Sequence, residues 1–504
     1  MPFFLVIAAA AAVAHHLSQR RGNNDEDERA MHAVDRSLLK GLIPIDLLPS
    51  EKRLISEQSI STISFYEGNS SDAARMLWDR LNEIIKANPW LCGCLAKGGA
   101  EHDEGVDDAP IRIWYDESSS SCPPGMLQHF PRGLVHLSRD TPYAELESVL
   151  DKVNVCVKAN RDILNETHET LFRVSIIPGY SGSDSLPDEF ALVASMSKAF
   201  GDDYTFFRLY SMLIGSPIVS LNPLRIREFD DCMAKLMGST ESDYVSHITE
   251  DPTWEKIFIR NGSENSADLQ GRLFEVSTDW INKLKTSTLQ HEIESRRQNV
   301  SCSPIEGSSA DLDGLDQSGR TVKLVSTNEI IVSWFWNLVR PSVGLLEVDL
   351  RDRVKEAGAN HAGNYSNAIS YTSEDYETPE RILESLSSCC RAGKNFDPPT
   401  ILPRVRVNTC FSVVTNHLYF GESIIEDYEM NGQQDIFRGG KFNLIRHMPL
   451  VFLGTLRKVL PKRMSFLDLF RISPKKVGCF VYASADVISI IDKCGIVHEV
   501  ISSF

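Results

Sequence analysis

The stretch FALVASMSKAFGDDYTFFRLYSML, residues 190–213, changes in its middle from a strand pattern to a helix pattern. Residues 190–197 are mostly apolar or small and are bounded by turn residues, which predicts a buried strand. A short turn follows over residues 198–202, and an amphipathic helix is expected to begin near Tyr204. Enzymes often display reactive side chains at such a turn. The stretch therefore predicts a candidate functional site at the end of a strand.

Length and composition indicate an ordinary globular chain with more than one lobe. The chain has 504 residues, 42% of them apolar and 24% charged, and single cores rarely grow beyond about 250–300 residues. The formal net charge of −17 and the lack of a basic stripe argue against nucleic acid as a partner. The eleven cysteines show no metal-binding spacing and predict free thiols in a reducing compartment. We expect no metal site.

The chain begins with an apolar segment that bears on its location. Residues 2–17 carry no charged side chain and are fewer than the roughly 20 residues of a membrane helix. Arg20 and Arg21 follow, which favours a signal anchor with the folded body on the cytoplasmic side. There are two alternatives. One is a cleavage site before His15, and the other is a frayed N-terminal helix on a soluble cytoplasmic protein.

Helix and strand patterns alternate along the rest of the chain. Residues 71–87 form an amphipathic helix pattern, and Ser326 and Glu329 form a capping box ahead of an apolar helix. Strand patterns lie at residues 171–177, 344–353, 404–420 and 477–483. The sequence therefore predicts a mixed α/β (α+β) chain rather than a solenoid or a bundle.

Three polar stretches predict mobile surface loops, at residues 101–110, 301–319 and 391–400. The predicted organisation has an N-terminal segment, residues 1–25, and two lobes. The first lobe is expected over residues 26–240 and the second over residues 241–504, with residues 301–319 as a flexible acidic loop. The boundary between the lobes is expected within residues 223–300.

The turn resembles the H-x-x-x-D-G motif of the coenzyme A-dependent acyltransferases. This superfamily includes chloramphenicol acetyltransferase, the plant BAHD acyltransferases and the condensation domains of peptide synthetases. Lys198 stands at the position of the family's histidine, Asp202 at that of its aspartate, and Asp203 at that of its glycine. Further segments resemble family elements in the family's order: NPWLCGCL (88–95), VDLRDRV (348–354), HAGNYSNAI (361–369) and VVTNHLYF (413–420).

The resemblance implies a fold of two lobes, each an open mixed sheet with helices, and a channel between them. It implies acyl-coenzyme A as a co-substrate, with no bound cofactor, and a small-molecule acceptor that enters from the opposite face. The family's histidine deprotonates the acceptor's hydroxyl or amine, which then attacks the thioester. Its aspartate is structural, so Asp202 is expected to pair with Arg351 or Arg353. A surface salt bridge is the alternative for both arginines.

Lysine is a poor replacement for a catalytic histidine. A lysine side chain has an ordinary pKa of about 10.4, about three units above neutrality, and the neighbouring carboxylates of Asp202 and Asp203 favour its charged form. Lys198 is therefore predicted to be a cation. Asp203 precedes a helix and is interpreted as its N-cap, with a new acid or ligand contact in the channel as the alternative.

Two residues of the segment 413–420 are candidates for the missing chemistry. His417 is a possible surrogate base, and Asn416 could donate a hydrogen bond to an oxyanion. Structural roles on the strand are the alternatives for both. Three functions stay open: an active acyltransferase with an altered site, an inactive relative that binds a ligand or a protein, and a channel in which Lys198 anchors an anionic ligand. Acyl transfer is expected to be slow or absent.

Overall fold

The computed structural model describes most of the chain. The described residues are 39–51, 59–98, 110–150, 153–158, 164, 169–179, 188–238, 269–300, 324–391, 410–418, 442–451, 464–473 and 475–500. The predicted N-terminal anchor, residues 2–17, and the acidic loop, residues 301–319, lie outside them. In the described part of the chain, no helix is both long and apolar enough to cross a membrane.

The described part contains strands and helices in alternation along the chain. The strands are β1 Ile43–Asp46, β2 Ile60–Glu67, β3 Cys94–Lys97, β4 Ile111–Tyr115, β5 Leu127–His129, β6 Phe172–Pro178, β7 Glu189–Met196, β8 Leu269–Val276, β9 Val343–Asp349, β10 Ser366–Tyr371, β11 Phe411–Asn416, β12 Asn443–Pro449, β13 Met464–Ser473, β14 Lys476–Ser484 and β15 Val497–Glu499. The helices are α1 Ser70–Ala87, α2 Tyr143–Leu150, α3 Asp203–Ile214, α4 Phe229–Met237, α5 Thr278–Val300, α6 Thr327–Val339, α7 Pro379–Ser388 and α8 Ala485–Lys493.

The first lobe is built on a five-stranded sheet with the strand order β12-β2-β7-β6-β5. Strand β7 is buried on both faces, and its side chains alternate between two cores. Leu192 and Ala194 pack with α1 and α3 on one face, whereas Ala191 and Val193 face the second lobe. This alternation follows from the two-residue period of a strand. It explains why the segment is apolar throughout rather than at every second residue.

The second lobe is built on a seven-stranded sheet with the order β10-β9-β11-β13-β14-β8-β15. Strand β11 pairs in parallel with β9 and β13, and the other neighbours are antiparallel, so the sheet is mixed. Trp336 of α6 is fully buried against this sheet, and its indole donates a hydrogen bond to Ser412 (3.0 Å). A Cβ at Gly344 would lie 2.8 Å from the Trp336 ring, so a glycine is needed there.

One strand joins the two lobes. Strand β12 comes late in the chain, just before β13 of the second sheet, yet it pairs antiparallel with β2 at the edge of the first sheet. Strand β11, which carries the start of the segment 413–420, lies inside the second sheet. Its end reaches the junction, where His417 contacts Asp203. The sequence analysis missed the crossing strand.

The fold expected from the sequence is confirmed: a mixed α/β chain with two lobes, each a mixed sheet with helices. The predicted strand over residues 190–197 is β7, and the helix expected near Tyr204 begins one residue earlier, at Asp203. The predicted capping box is also present. Ser326 Oγ accepts from the backbone N–H of Asn328 (3.2 Å), and Glu329 accepts from the N–H of Ser326 (2.5 Å).

Replacing Ser326 with alanine should lower the free energy of unfolding by about 1 kcal/mol, because an N-cap acceptor of α6 is lost. Ser287→Ala is the matched control, since Ser287 lies exposed in α5 and alanine is a good helix former. The midpoint of urea unfolding measures both variants. Equal midpoints would mean that the cap contributes nothing to stability.

Candidate active site at the junction of the lobes

The turn between β7 and α3 is anchored by Asp202. The backbone of Asp202 is extended (φ −80°, ψ −176°), and its carboxylate accepts a hydrogen bond from the N–H of Thr205 (3.1 Å). Asp202 is therefore the N-cap of α3. The interpretation of Asp203 as the cap is wrong, because Asp203 already has a helical backbone and is the first residue of the helix. Its carboxylate is left for other contacts.

Of the two arginines expected near Asp202, Arg351 is the partner. Its guanidinium contacts both carboxylate oxygens of Asp202, at 2.8 and 3.0 Å, and the Arg351 and Asp202 side chains are 1% and 4% exposed. Arg353 instead contacts the carbonyl of Leu386 (2.5 Å). The left-handed backbone of Asp352 (φ +60°) reverses the chain between the two arginines and sends their side chains apart. A buried bidentate pair of this kind is strong and geometrically specific.

A second buried ion pair holds the turn from behind. Glu51 pairs with Arg225 at 2.9 Å, and both side chains are at most 3% exposed. Arg225 donates to the carbonyl of Ala199 (2.8 Å). Asn364 donates to Glu51 (2.7 Å) and to the carbonyl of Lys198 (2.9 Å). The backbone of the turn is thus fixed by side chains from three separate parts of the chain.

The side chains of the turn meet the second lobe in a buried cluster of charges. His417, just after β11, lies between two carboxylates. Its Nε2 is 3.3 Å from Asp203 Oδ2, and its Nδ1 is 3.0 Å from Asp468 Oδ1 on β13. Lys198 is only 3% exposed, and its charge acts on Asp203. We call Lys198, Asp203, His417 and Asp468 the charged cluster. Two potential cations face two carboxylates within it.

The charged cluster determines the protonation of its members. Burial alone would lower the pKa of His417, but the charges of Asp468 and Asp203 raise that pKa well above 6.5. Burial alone would raise the pKa of Asp203, but the charges of Lys198 and His417 hold it well below its usual range. His417 is therefore an imidazolium at neutral pH and has no lone pair with which to accept a proton.

Asn416 has a local role in this structure. Its side-chain oxygen accepts a hydrogen bond from the backbone N–H of Leu418 (2.9 Å), as expected of an asparagine that turns the chain at the end of a strand. It thereby shapes the turn that carries His417 to the charged cluster.

A second histidine, which the sequence analysis missed, lies beside the charged cluster. His447 of the crossing strand β12 is partly exposed. Its Nδ1 is 2.7 Å from Ser64 Oγ of β2, and Ser64 Oγ is 2.6 Å from the hydroxyl of Tyr210 of α3. Burial of the ring and the charge of His417 lower the pKa of His447 to about 4. No motif signals this residue, because its partners lie almost 400 and more than 230 residues away in the chain.

Comparison with solved structures finds likenesses over nearly the whole chain. TRI101 of F. graminearum complexed with ethyl coenzyme A has a TM-score of 0.52 at 11% identity, covering 91% of this chain and 99% of that one. TRI101 of F. sporotrichioides complexed with coenzyme A and T-2 has a TM-score of 0.50 at 10% identity (90% and 97% covered). TRI101 of F. graminearum complexed with coenzyme A and deoxynivalenol has a TM-score of 0.50 at 12% identity (90% and 97% covered).

At such low identity these likenesses concern the fold alone. The chain has the two-lobed fold of TRI101. Neither a protein-family model nor a curated protein sequence matches it.

Replacing Asp203 with asparagine should lower the free energy of unfolding by about 3–5 kcal/mol, because it removes one partner of a buried ion pair. Asp72→Asn is the matched control. Asp72 pairs with Arg75 on the surface, with both side chains well exposed, so its loss should amount to about 1 kcal/mol at most. Thermal unfolding at several pH values measures both variants.

The difference in melting temperature between wild type and Asp203→Asn should also depend on pH. The folded protein raises the pKa of His417, so the stabilisation by protonated His417 is complete below about pH 6.5 and disappears as pH rises through the raised value. The lowered pKa of Asp203 makes its contribution present above about pH 4 and lost on strong acidification. A difference in melting temperature that grows from pH 6.5 to pH 9 would contradict the assignment of His417 as a cation paired with Asp203.

Proposed function

We propose that the protein slowly transfers an acyl group from a coenzyme A thioester to the hydroxyl or amine of a small molecule, at the junction of the two lobes. The observation that carries this proposal is the buried Asp202–Arg351 pair. The pair ties the turn after β7 to the second lobe, and the motif resemblance assigns the base to residue 198 of that turn. The proposed site is thus built on an intact framework.

The classes of substrate are proposed from the solved structures that share the fold. TRI101 is complexed with coenzyme A or ethyl coenzyme A, and in two of the structures also with T-2 or deoxynivalenol. A thioester donor and a small-molecule acceptor are therefore the substrates to test for this chain.

Lys198 is proposed to serve as a fixed cation rather than as the base. It lies beside the ionised Asp203, so giving up its proton would leave that buried carboxylate with less compensation. A buried charge without a partner is strongly unfavourable. Lysine at position 198 and aspartate at position 203 therefore act together, because the charge of the lysine makes the buried carboxylate tolerable.

The second candidate function is ligand binding by a catalytically inactive protein. The observation in its favour is the contact of His417 with both Asp203 and Asp468, which links the lobes within the charged cluster. Such a cluster can serve as a structural link. In this case the ligand class would be anionic, and Lys198 would bind it.

Lys198→Arg tests whether Lys198 is the base. Arginine keeps the cation but does not release its proton in proteins. We expect thioester consumption to stay within about tenfold of wild type, with a panel of acyl-coenzyme A donors and hydroxyl or amine acceptors. Abolished turnover in a variant with the wild-type melting temperature would show that Lys198 is the base.

Restoring the residues of the H-x-x-x-D-G motif tests whether the proposed site supports acyl transfer. Lys198→His combined with Asp203→Gly should raise the rate of acyl transfer at least tenfold, since a general base contributes about 10²- to 10⁴-fold. Asp203→Gly alone is the control and should not raise it. No turnover in any variant, together with a coenzyme A-dependent rise in the melting temperature of wild type, would instead support the second candidate function, ligand binding without catalysis.

A further inference from the structure

Ser64, Tyr210 and His447 form a hydrogen-bonded chain that the motif resemblance does not include. The chain joins three elements: β2 and α3 of the first lobe, and the crossing strand β12. Ser64 and Tyr210 are at most 3% exposed, so their positions are fixed by packing. His447 is the partly exposed end of the chain. The arrangement orients one imidazole through two buried hydroxyls.

The hydrogen-bonded chain lies next to the turn that carries residue 198. Phe207 of α3 packs against both histidines, with its ring centroid 5.0 Å from that of His417 and 6.3 Å from that of His447. His417 in turn contacts Asp203. Phe207 therefore contacts both His447 and a member of the charged cluster.

The hydrogen bond of His447 to Ser64 involves only one of the two ring nitrogens. Nδ1 contacts Ser64 Oγ, whereas Nε2 has no hydrogen-bond partner in the part of the chain that the structure describes. A histidine whose Nδ1–H donates to an oxygen carries its lone pair on Nε2. In the tautomer whose Nδ1–H donates to Ser64 Oγ, the ring is neutral at pH 7 and can accept a proton at Nε2. The protonated ring of His417 cannot.

We propose that His447 is the general base of the acyl transfer, with Ser64 and Tyr210 as positioning residues. This inference rests on the proposed function. Nε2 takes the proton of the acceptor's hydroxyl or amine while the acceptor's oxygen or nitrogen bonds to the thioester carbonyl carbon. When the C–S bond breaks, Nε2–H returns the proton to the coenzyme A sulfur. The products are the acylated acceptor and the free thiol, and the imidazole is neutral again.

The surroundings of His447 explain why such transfer should be slow. Among the described residues, the titratable groups that face it are His417 from the end of β11 and Tyr210 from α3. The imidazolium of His417 opposes a second positive charge nearby, so His447 is a weaker base than a histidine with an ordinary pKa. A weaker base abstracts a proton more slowly. Asp203 and Asp468 moderate this effect by pairing with His417.

The experiment compares thioester consumption by wild type, His447→Gln, His447→Ala and Ser64→Ala. The expected loss of kcat/KM is at least about 100-fold for both His447 variants. His498→Gln on β15, exposed at the edge of the second sheet, is the matched control and should keep the wild-type rate. Added imidazole should restore part of the activity of His447→Ala. Ser64→Ala should lower kcat rather than raise KM.

The pH profile separates His447 from a histidine with an ordinary pKa. The wild-type kcat/KM should be level between about pH 5.5 and pH 8, because the pKa of His447 is about 4. A profile that falls below about pH 6.5 would overturn the inference, as would full activity of His447→Gln or an unrescued loss in His447→Ala. In these cases wild-type turnover still supports the proposed function. Absence of turnover in wild type with every donor and acceptor overturns the proposed function itself.

Discussion

The buried pair between Asp202 and Arg351 is the contact on which the functional site depends. Two charges that are almost completely removed from water are strongly unfavourable unless each finds good partners. Here the carboxylate also accepts hydrogen bonds from the backbone N–H groups of Thr205 and Tyr365 (3.1 and 2.9 Å), and the guanidinium also donates to the carbonyl of Gly363 (2.9 Å). The pair therefore has one favourable geometry, and that geometry fixes the turn against the second lobe.

Once the turn is fixed, its side chains must be compatible with burial, since Lys198 and Asp203 are 3% and 5% exposed. A lone lysine or a lone aspartate would be costly there. Lys198 and Asp203 occur together, and Asp203 reaches His417, which reaches Asp468. Lys198 and Asp203 are thus coupled by electrostatics. The same coupling protonates His417 and so removes it as a base at neutral pH.

The crossing strand gives the junction its second polar feature. Strand β12 belongs by chain order to the second lobe but completes the first sheet, so its side chains stand where the lobes meet. His447 projects from it to Ser64 and lies near Tyr210. Two histidines with opposite protonation therefore pack against the same ring, that of Phe207. Their difference comes from their neighbours: carboxylates surround His417, whereas hydroxyls surround His447.

The amino-acid sequence by itself determined the strand, turn and helix around residues 190–213, because apolar runs, helical periodicity and turn residues act over short distances. It also contained the ordered segments from which the two-lobed fold was predicted, and the capping box at Ser326. Tertiary structure alone decided which arginine meets Asp202, since a left-handed residue between Arg351 and Arg353 directs them apart. It also decided that His417 is charged and His447 neutral, because burial and neighbouring charges set a histidine's pKa. Those neighbours come from distant parts of the chain, and only folding brings them together.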